Sequence, residues 1–209
     1  NTVTPNRRAV VHFPLSSIPA GSTINSVTLK MYCQRTRAST SSVTIHKLTS
    51  NWGEGESYGA GGGAGTQPND CSWIHTFYPN QLWNTPGGDF VAAASATQSI
   101  GGEGVVYEWS GPGLVADVTS WLANPGQNYG WLLKGTEGTS RSARAWASRE
   151  WSEPNLVPQI VVNFTRPAPM CAADLGVQVL TLPDLHREIS PLRDLRAARA
   201  RRAVGAVRR

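Results

Sequence analysis

Ser26–Gln34, SVTLKMYCQ, alternates apolar side chains with polar or amphipathic ones. Val27, Leu29, Met31 and Cys33 stand at every second position. Because successive side chains of a strand point to opposite faces, this spacing predicts a strand with one buried face.

Segments with strand character recur on both sides of this one. They lie at residues 8–15, 42–48 and 104–109, and later in YGWLLKG, RAWASRE and PQIVVNF. LVADVTSWLANPG predicts a short strand and about two helical turns, capped by Asp117 or Thr119. Because no helix separates the first three strands, antiparallel pairing is expected. The fold class is therefore all-β, an antiparallel β-sandwich of about eight to nine strands with one short helix.

Charge divides the chain into two parts. The 209 residues carry a formal net charge of +5. Residues 1–167 hold 11 Lys and Arg against 10 Asp and Glu, whereas residues 168–209 hold 8 Arg against 4 acids. The first part is predicted to be the sandwich domain, and the second a basic C-terminal extension, disordered or partly helical. A nearly neutral domain excludes nucleic acid as an expected partner, and no apolar run predicts a membrane span.

Cysteine usage leaves two interpretations open. Cys33, Cys71 and Cys171 form no zinc-ligand spacing with the four histidines. A Cys33–Cys71 disulfide is one prediction, and a buried thiol at Cys33 beside an incidental Cys71 is the favoured one. Since the chain begins at Asn1 rather than Met, we expect a processed chain or a fragment.

Five stretches occur in an order that resembles a known family. They are RAVVHFPLSSIPAGSTINSVTLKMY, TSNWGEGES, WIHTFYPNQLWNTPGGDF, DVTSWLANPGQNYGWLLKG and ASREW, within residues 7–165. The set resembles the DNRLRE-type domain, or disaggregatase-related repeat, which is similar in architecture to a jelly-roll carbohydrate-binding module family with alginate-binding members. The resemblance implies a jelly-roll sandwich, a secreted or cell-surface location and no established catalytic machinery. The family's usual first strand is missing before Asn6, and the residues after Pro167 have no counterpart in it.

Aromatic residues around a glycine-rich stretch supply the candidate ligand site. Flat rings stack on sugar rings, but they also pack cores, and Trp121 and Trp131 fit core positions. No alternating strand explains the aromatic residues of the 51–88 region. The ligand-binding candidates are Trp52, Trp73, His75, Tyr78 and Trp83. The alternative is that these side chains only pin a long surface loop to the body.

Charged residues give two further predictions. On a strand, Arg149 and Glu150 would point to opposite faces, so they are not expected to pair with each other. One of the two is expected to face inward and to need a partner, and Asp117 is predicted to supply it in a structural ion pair. Loop carboxylates can supply oxygens to a structural Ca²⁺, although calcium needs about six to eight of them. The carboxylates concerned are Glu54, Glu56, Asp70 and Asp89. No other cofactor is expected.

The function expected is a non-catalytic extracellular carbohydrate-binding or adhesion module. Its partner would be a polysaccharide, with acidic glycans included. One alternative is a structural or spacer domain of a cell-surface or matrix protein. A second is a polysaccharide lyase-like enzyme, with His75 and either Tyr78 or Tyr107 as acid and base. The chain is expected to be monomeric or part of a larger multidomain protein.

Overall fold

The computed structural model describes residues 6–57, 65–167 and 175–181. Within these ranges, one α-helix, α1, spans Pro112–Ala123, and two 3-10 helices span Pro125–Gln127 and Pro154–Leu156. The strands of the described residues are β1 (Arg8–Val11), β2 (Thr23–Thr36), β3 (Ser41–Lys47), β4 (His75–Phe77), β5 (Gln81–Leu82), β6 (Ala96–Ile100), β7 (Val105–Ser110), β8 (Trp131–Lys134), β9 (Arg144–Trp146), β10 (Gln159–Thr165) and β11 (Leu175–Thr181).

The strands form two main sheets and a hairpin. The first sheet has the order β1-β8-β3-β6, and the second has the order β11-β10-β2-β7, with β9 also paired to β2. The hairpin consists of β4 and β5, and every pairing among the described strands is antiparallel. The predicted all-β antiparallel sandwich is therefore confirmed, while its jelly-roll connectivity stays a prediction. The strands number more than eight or nine because β4, β5 and β6 are short or polar and β11 follows the predicted domain boundary.

The first three strands do not pair with one another. β1 pairs with β8, β2 pairs with β7, β9 and β10, and β3 pairs with β6 and β8. The chain thus changes sheet after β1 and again after β2. The short connections predict that strands consecutive in sequence pair with each other. A short connection can also lead from one sheet to the sheet stacked on it, as it does here.

The alternation in β2 fills the space between the sheets. The four apolar side chains at alternate positions, from Val27 to Cys33, are all buried, as predicted. They share one cluster with Trp109 of β7 and Trp131 of β8, so both sheets contribute to it. Trp121 of α1 belongs to the same cluster, which confirms the core positions predicted for Trp121 and Trp131. Each fully buried aliphatic side chain contributes about 1.5–3 kcal/mol, so this cluster is the main drive for stacking the sheets.

Helix α1 begins earlier than the sequence predicts. It starts at Pro112, directly after Gly111, whose φ is 138°. Proline suits the first helical turn because its φ is fixed and its missing N–H is not needed there. Residues 114–118 are therefore helical rather than a strand, and Asp117 and Thr119 lie inside the helix rather than capping it. No helix in the described ranges is long and apolar enough to cross a membrane.

The segment between β3 and β6 builds a second, smaller core on the outer face of the first sheet. In β8, Trp131 and Leu133 enter the main core, whereas Leu132 packs with Leu48 and Trp83. Partly buried side chains close over this second core; they are Val10, Trp52, Cys71, Phe90 and Tyr129. The 51–88 region is therefore more than a surface loop. Because strand β8 has apolar side chains on both faces, other apolar side chains must cover both of them.

Strand β11 extends the second sheet. Leu175–Thr181 pairs with β10 from Gln159↔Thr181 to Thr165↔Leu175. The boundary predicted at residue 167 therefore falls between two strands of one sheet. The rest of the predicted extension, including Cys171, lies outside the described residues.

Candidate functional site

Trp52 and Trp83 serve the packing of the 51–88 region. Trp83 is only 6% exposed, and its Nε1 donates a 2.9 Å hydrogen bond to the carbonyl of Ser72. Trp52 is half-buried, and its Nε1 donates a 2.9 Å bond to the carbonyl of Tyr129. Both rings pack in the second core. Because their polar edges are satisfied inside the protein, they fit the alternative of pinning the segment to the body.

Trp73 has a different environment, with 39% of its surface exposed. The guanidinium carbon of Arg8 lies 4.8 Å from the centroid of this ring and 5.3 Å from that of Phe90. Arg8 forms a fork with Glu137, at 2.6 Å from Nε and 3.0 Å from Nη2, and donates a 2.7 Å bond to the carbonyl of Gly87. The hydrogen bond from Arg8 outweighs burial and lowers the pKa of Glu137. Trp73 is therefore a partly exposed ring supported by a fixed cation.

His75 and Tyr78 lie together in the hairpin region. Their ring centroids are 5.0 Å apart, with the planes at 81°. Nδ1 of His75 is 3.0 Å from the hydroxyl of Ser72, which also accepts the His75 amide. Tyr107 lies on β7 in the second sheet, where its hydroxyl bonds the turn between β6 and β7. The structure thus brings His75 to Tyr78 and places Tyr107 in a different sheet.

Asp70 holds the two sides of the glycine-rich stretch together. Its Oδ1 accepts the amides of Glu56 and Ser57 at 3.1 and 3.2 Å, and its Oδ2 accepts the amide of Gln67 at 2.5 Å. Gly55 has a φ of 66°, and a Cβ there would lie 1.8 Å from Oδ1 of Asp70, so a glycine is required. The carboxylate therefore positions backbone.

Asp89 acts in the same way on the loop after the hairpin. Its Oδ2 accepts bonds from Ser50 Oγ and from the amide and side chain of Asn84, and its Oδ1 accepts the amide of Thr85, all at 2.9–3.0 Å. Burial acts to raise the pKa of Asp89, but these hydrogen bonds outweigh it and lower the pKa below its ordinary value. Asp89 is a fixed anion at neutral pH.

The four candidate calcium ligands are not gathered into one site. Glu54 pairs with Arg149 at 3.1 Å, and Asp70 and Asp89 accept the N–H groups described above. The backbone N–H of Glu56 donates a hydrogen bond to Asp70. Within the described ranges, no group of three or more His, Cys, Asp or Glu could hold a metal ion.

Arg149 and Glu150 do pair, contrary to the expectation from strand geometry. Nε of Arg149 is 2.6 Å from Oε1 of Glu150, and its Nη2 reaches Glu54. Strand β9 ends before these residues, which lie in a turn where adjacent side chains can approach each other. Asp117 has another role, since it accepts a 2.7 Å bond from Nε1 of Trp131.

Cys33 and Cys71 are not joined in a disulfide, so that alternative is wrong and the favoured interpretation, a thiol at each position, is confirmed. Cys33 is fully buried in the main core. Burial, and to a smaller extent the negative charge of the neighbouring Asp70, raise the pKa of Cys71 to about 12.

An open cleft of about 530 Å³ lies between the β4–β5 hairpin and the residues that follow β3 and precede β8. Its polar side chains include Asn51, Gln81, Asn84, Asp89 and Tyr129, and its apolar side chains include Phe77 and Leu82. Leu82 is 64% exposed. In the part of the chain that the structure describes, no protein group hydrogen-bonds the side-chain amide of Gln81 or the hydroxyl of Tyr129. These groups are therefore available to a ligand.

Sequence reasoning missed the amide residues that line this cleft and named Asp89 only as a candidate calcium ligand. Asn51, Gln81 and Asn84 are single amide residues in short or irregular segments, a composition typical of any surface loop. The available signal was the aromatic hairpin sequence between Trp73 and Trp83, which surrounds Gln81 but does not single it out.

No protein-family model matches the chain, and the searches of curated proteins and of solved structures give no match. The resemblance to the DNRLRE-type domain stays a prediction.

Proposed function

We propose that the domain is a non-catalytic carbohydrate-binding module that holds a polysaccharide at the cleft beside the β4–β5 hairpin. The observation that carries the proposal is the cleft itself, where the Gln81 side-chain amide and the Tyr129 hydroxyl have no hydrogen-bond partner among the described residues and Leu82 is exposed. Sugars present hydroxyl groups together with apolar C–H faces. An open cleft with amide, hydroxyl and apolar groups matches that chemistry.

The exposed Trp73 ring supports an extended site. Trp73 lies next to the hairpin, in which Leu82 of the cleft pairs with His75. The amide of Trp83 bonds the carbonyl of Ile74 and holds the two sides of the hairpin together. Because Arg8 and the second core fix this region before any ligand arrives, little conformational entropy is lost on binding. A polymer longer than the cleft would reach along the hairpin toward Trp73.

The environment of the acid and base candidates supports a non-catalytic role. Asp89, the one carboxylate among the described residues of the cleft, is covered by four hydrogen bonds, and His75 is not one of the residues that line the cleft. A general acid or base must reach a proton of the substrate, which these bonds oppose. The family resemblance supports an extracellular or cell-surface location.

Affinity electrophoresis in gels that contain soluble polysaccharides tests the proposal. We expect at least one polymer to retard the protein. Gln81→Ala and Tyr129→Phe should each weaken binding about fivefold, the value of one hydrogen bond near 1 kcal/mol. Gln98→Ala on β6 is the matched control, since it removes the same amide outside the cleft, and should behave like the parent protein.

Failure on every polymer of a broad panel would overturn the proposal in favour of a structural or spacer domain. Appearance of an unsaturated product that absorbs in the ultraviolet would overturn the non-catalytic part and favour a lyase.

A further inference from the structure

We infer that the cleft selects neutral polysaccharides over acidic ones. This inference rests on the proposed function and adds the chemical class of the ligand. It depends on the formal charges that line the cleft.

Among the described residues that line the cleft, Asp89 has the one charged side chain; the others are hydroxyl, amide, aromatic or aliphatic. Its carboxylate is tied to Ser50, Asn84 and Thr85, and these bonds hold its pKa below the ordinary value. It cannot turn away or take up a proton easily at neutral pH. The cleft therefore carries a fixed formal charge of −1.

Two cations that contact the 51–88 region are held by carboxylates. Arg8 contacts the same loop at Gly87, but its guanidinium is held by Glu137 and does not line the cleft. Arg149 is held by Glu54 and Glu150. Among the described residues that line the cleft, a carboxylate or sulfate ester of an acidic glycan would find no cation to pair with.

An acidic ligand thus meets repulsion without compensation. Two like charges in a partly buried site repel, and a carboxylate that leaves water without a partner pays a desolvation cost. A neutral sugar pays neither cost, because its hydroxyls can pair with the Gln81 amide and the Tyr129 hydroxyl. Selectivity here comes from the repulsion of the wrong ligand as much as from attraction of the right one.

The test compares neutral polymers (β-glucan, galactomannan and arabinan) with acidic ones (alginate and polygalacturonate) on the full chain. We expect a neutral polymer to bind at least about tenfold more tightly than either acidic one at low salt. Binding of the neutral polymer should not change between low and high salt, because no ion pair forms.

A gain-of-function variant sharpens the comparison. Gln81→Arg places a cation in the cleft beside the exposed Leu82 and should create salt-sensitive retention on the acidic polymers. Gln98→Arg adds the same charge on β6 and controls for general attraction to polyanions. Acidic retention by Gln81→Arg that exceeds that of Gln98→Arg supports the inference.

The outcomes separate the inference from the proposed function. If the parent protein prefers alginate or polygalacturonate, the inference is overturned while carbohydrate binding stands. If a neutral polymer binds but Gln81→Ala and Tyr129→Phe leave its affinity unchanged, the assignment to this cleft is overturned. If no polymer is retained, the proposed function itself fails.

Discussion

Nε1 of Trp131 donates a 2.7 Å hydrogen bond to Oδ2 of Asp117, and this bond joins strand β8 to helix α1 inside the core. Both side chains are buried, and the Trp131 ring also contacts Trp121 of α1, with centroids 4.7 Å apart. A buried carboxylate is costly unless a donor satisfies it, so the indole N–H makes Asp117 acceptable at this place. The helix is fixed in position on the sandwich by this pair.

Asp117→Ala should lower the free energy of unfolding by about 2–3 kcal/mol, because it leaves the Trp131 N–H buried without an acceptor. Asp117→Asn keeps an acceptor oxygen and should cost less than half as much. Urea unfolding measures both variants. Equal losses in the two would contradict a hydrogen-bonding role.

Arg8→Lys should destabilise the protein by about 1–2 kcal/mol, because an ammonium cannot form the fork with Glu137 and also bond Gly87. Arg7→Lys, at the exposed neighbouring position, is the matched control and should change stability by less than about 0.5 kcal/mol. Thermal unfolding of the two variants checks this. An Arg8→Lys variant as stable as Arg7→Lys would argue against the fork as a stabilising contact.

Asp70→Ala should release the amides of Glu56, Ser57 and Gln67 and cost about 2–3 kcal/mol, because three part-buried bonds lose their acceptor. Hydrogen exchange at these three amides should accelerate. Glu103→Ala is the control, since it removes an exposed carboxylate that accepts the amide of Thr36. Unchanged exchange at the three amides would rule out the proposed role of Asp70.

The contribution of Asp89 to stability should depend on pH. Since hydrogen bonds hold its pKa below the ordinary value in the folded protein, its stabilising effect is fully present above the unfolded pKa of 3.8. It is lost as the pH falls through the lower folded pKa. The stability difference between the parent protein and Asp89→Asn, followed from pH 7 downward in urea titrations, should therefore be constant to about pH 5 and shrink below about pH 4. A difference that does not vary with pH would contradict this assignment.

Cys71 should resist alkylation by iodoacetamide in the folded protein at pH 8. Its pKa is raised to about 12 by burial and by Asp70, so only roughly one molecule in ten thousand carries the thiolate. Peptide mass spectrometry reports Cys71 and Cys33 separately. Both should react rapidly in denaturant without a reductant. Failure to react there would indicate a disulfide.

The candidate site was only partly predictable from the sequence. The pattern identified the aromatic region between Trp52 and Trp83 but not which rings are covered, because burial depends on what packs from another strand. Leu132 of β8 covers Trp83, and the carbonyl of Tyr129 takes the Trp52 N–H. Gln81 and Tyr129 are far apart in the chain, and the fold alone makes them walls of one cleft.

The sequence by itself determined the strand β2, its buried face and the all-β class, because a period of two is a local property of the chain. It also determined the nearly neutral charge of residues 1–167, because the net charge follows from counting the charged residues. Only the tertiary structure decided that β1, β2 and β3 alternate between sheets and that Arg149 meets Glu150 in a turn. It alone placed Asp117 beside Trp131 and gave the described walls of the cleft one fixed anion and no cation. Such contacts join residues distant in sequence, and no local pattern encodes which distant partner a side chain will meet.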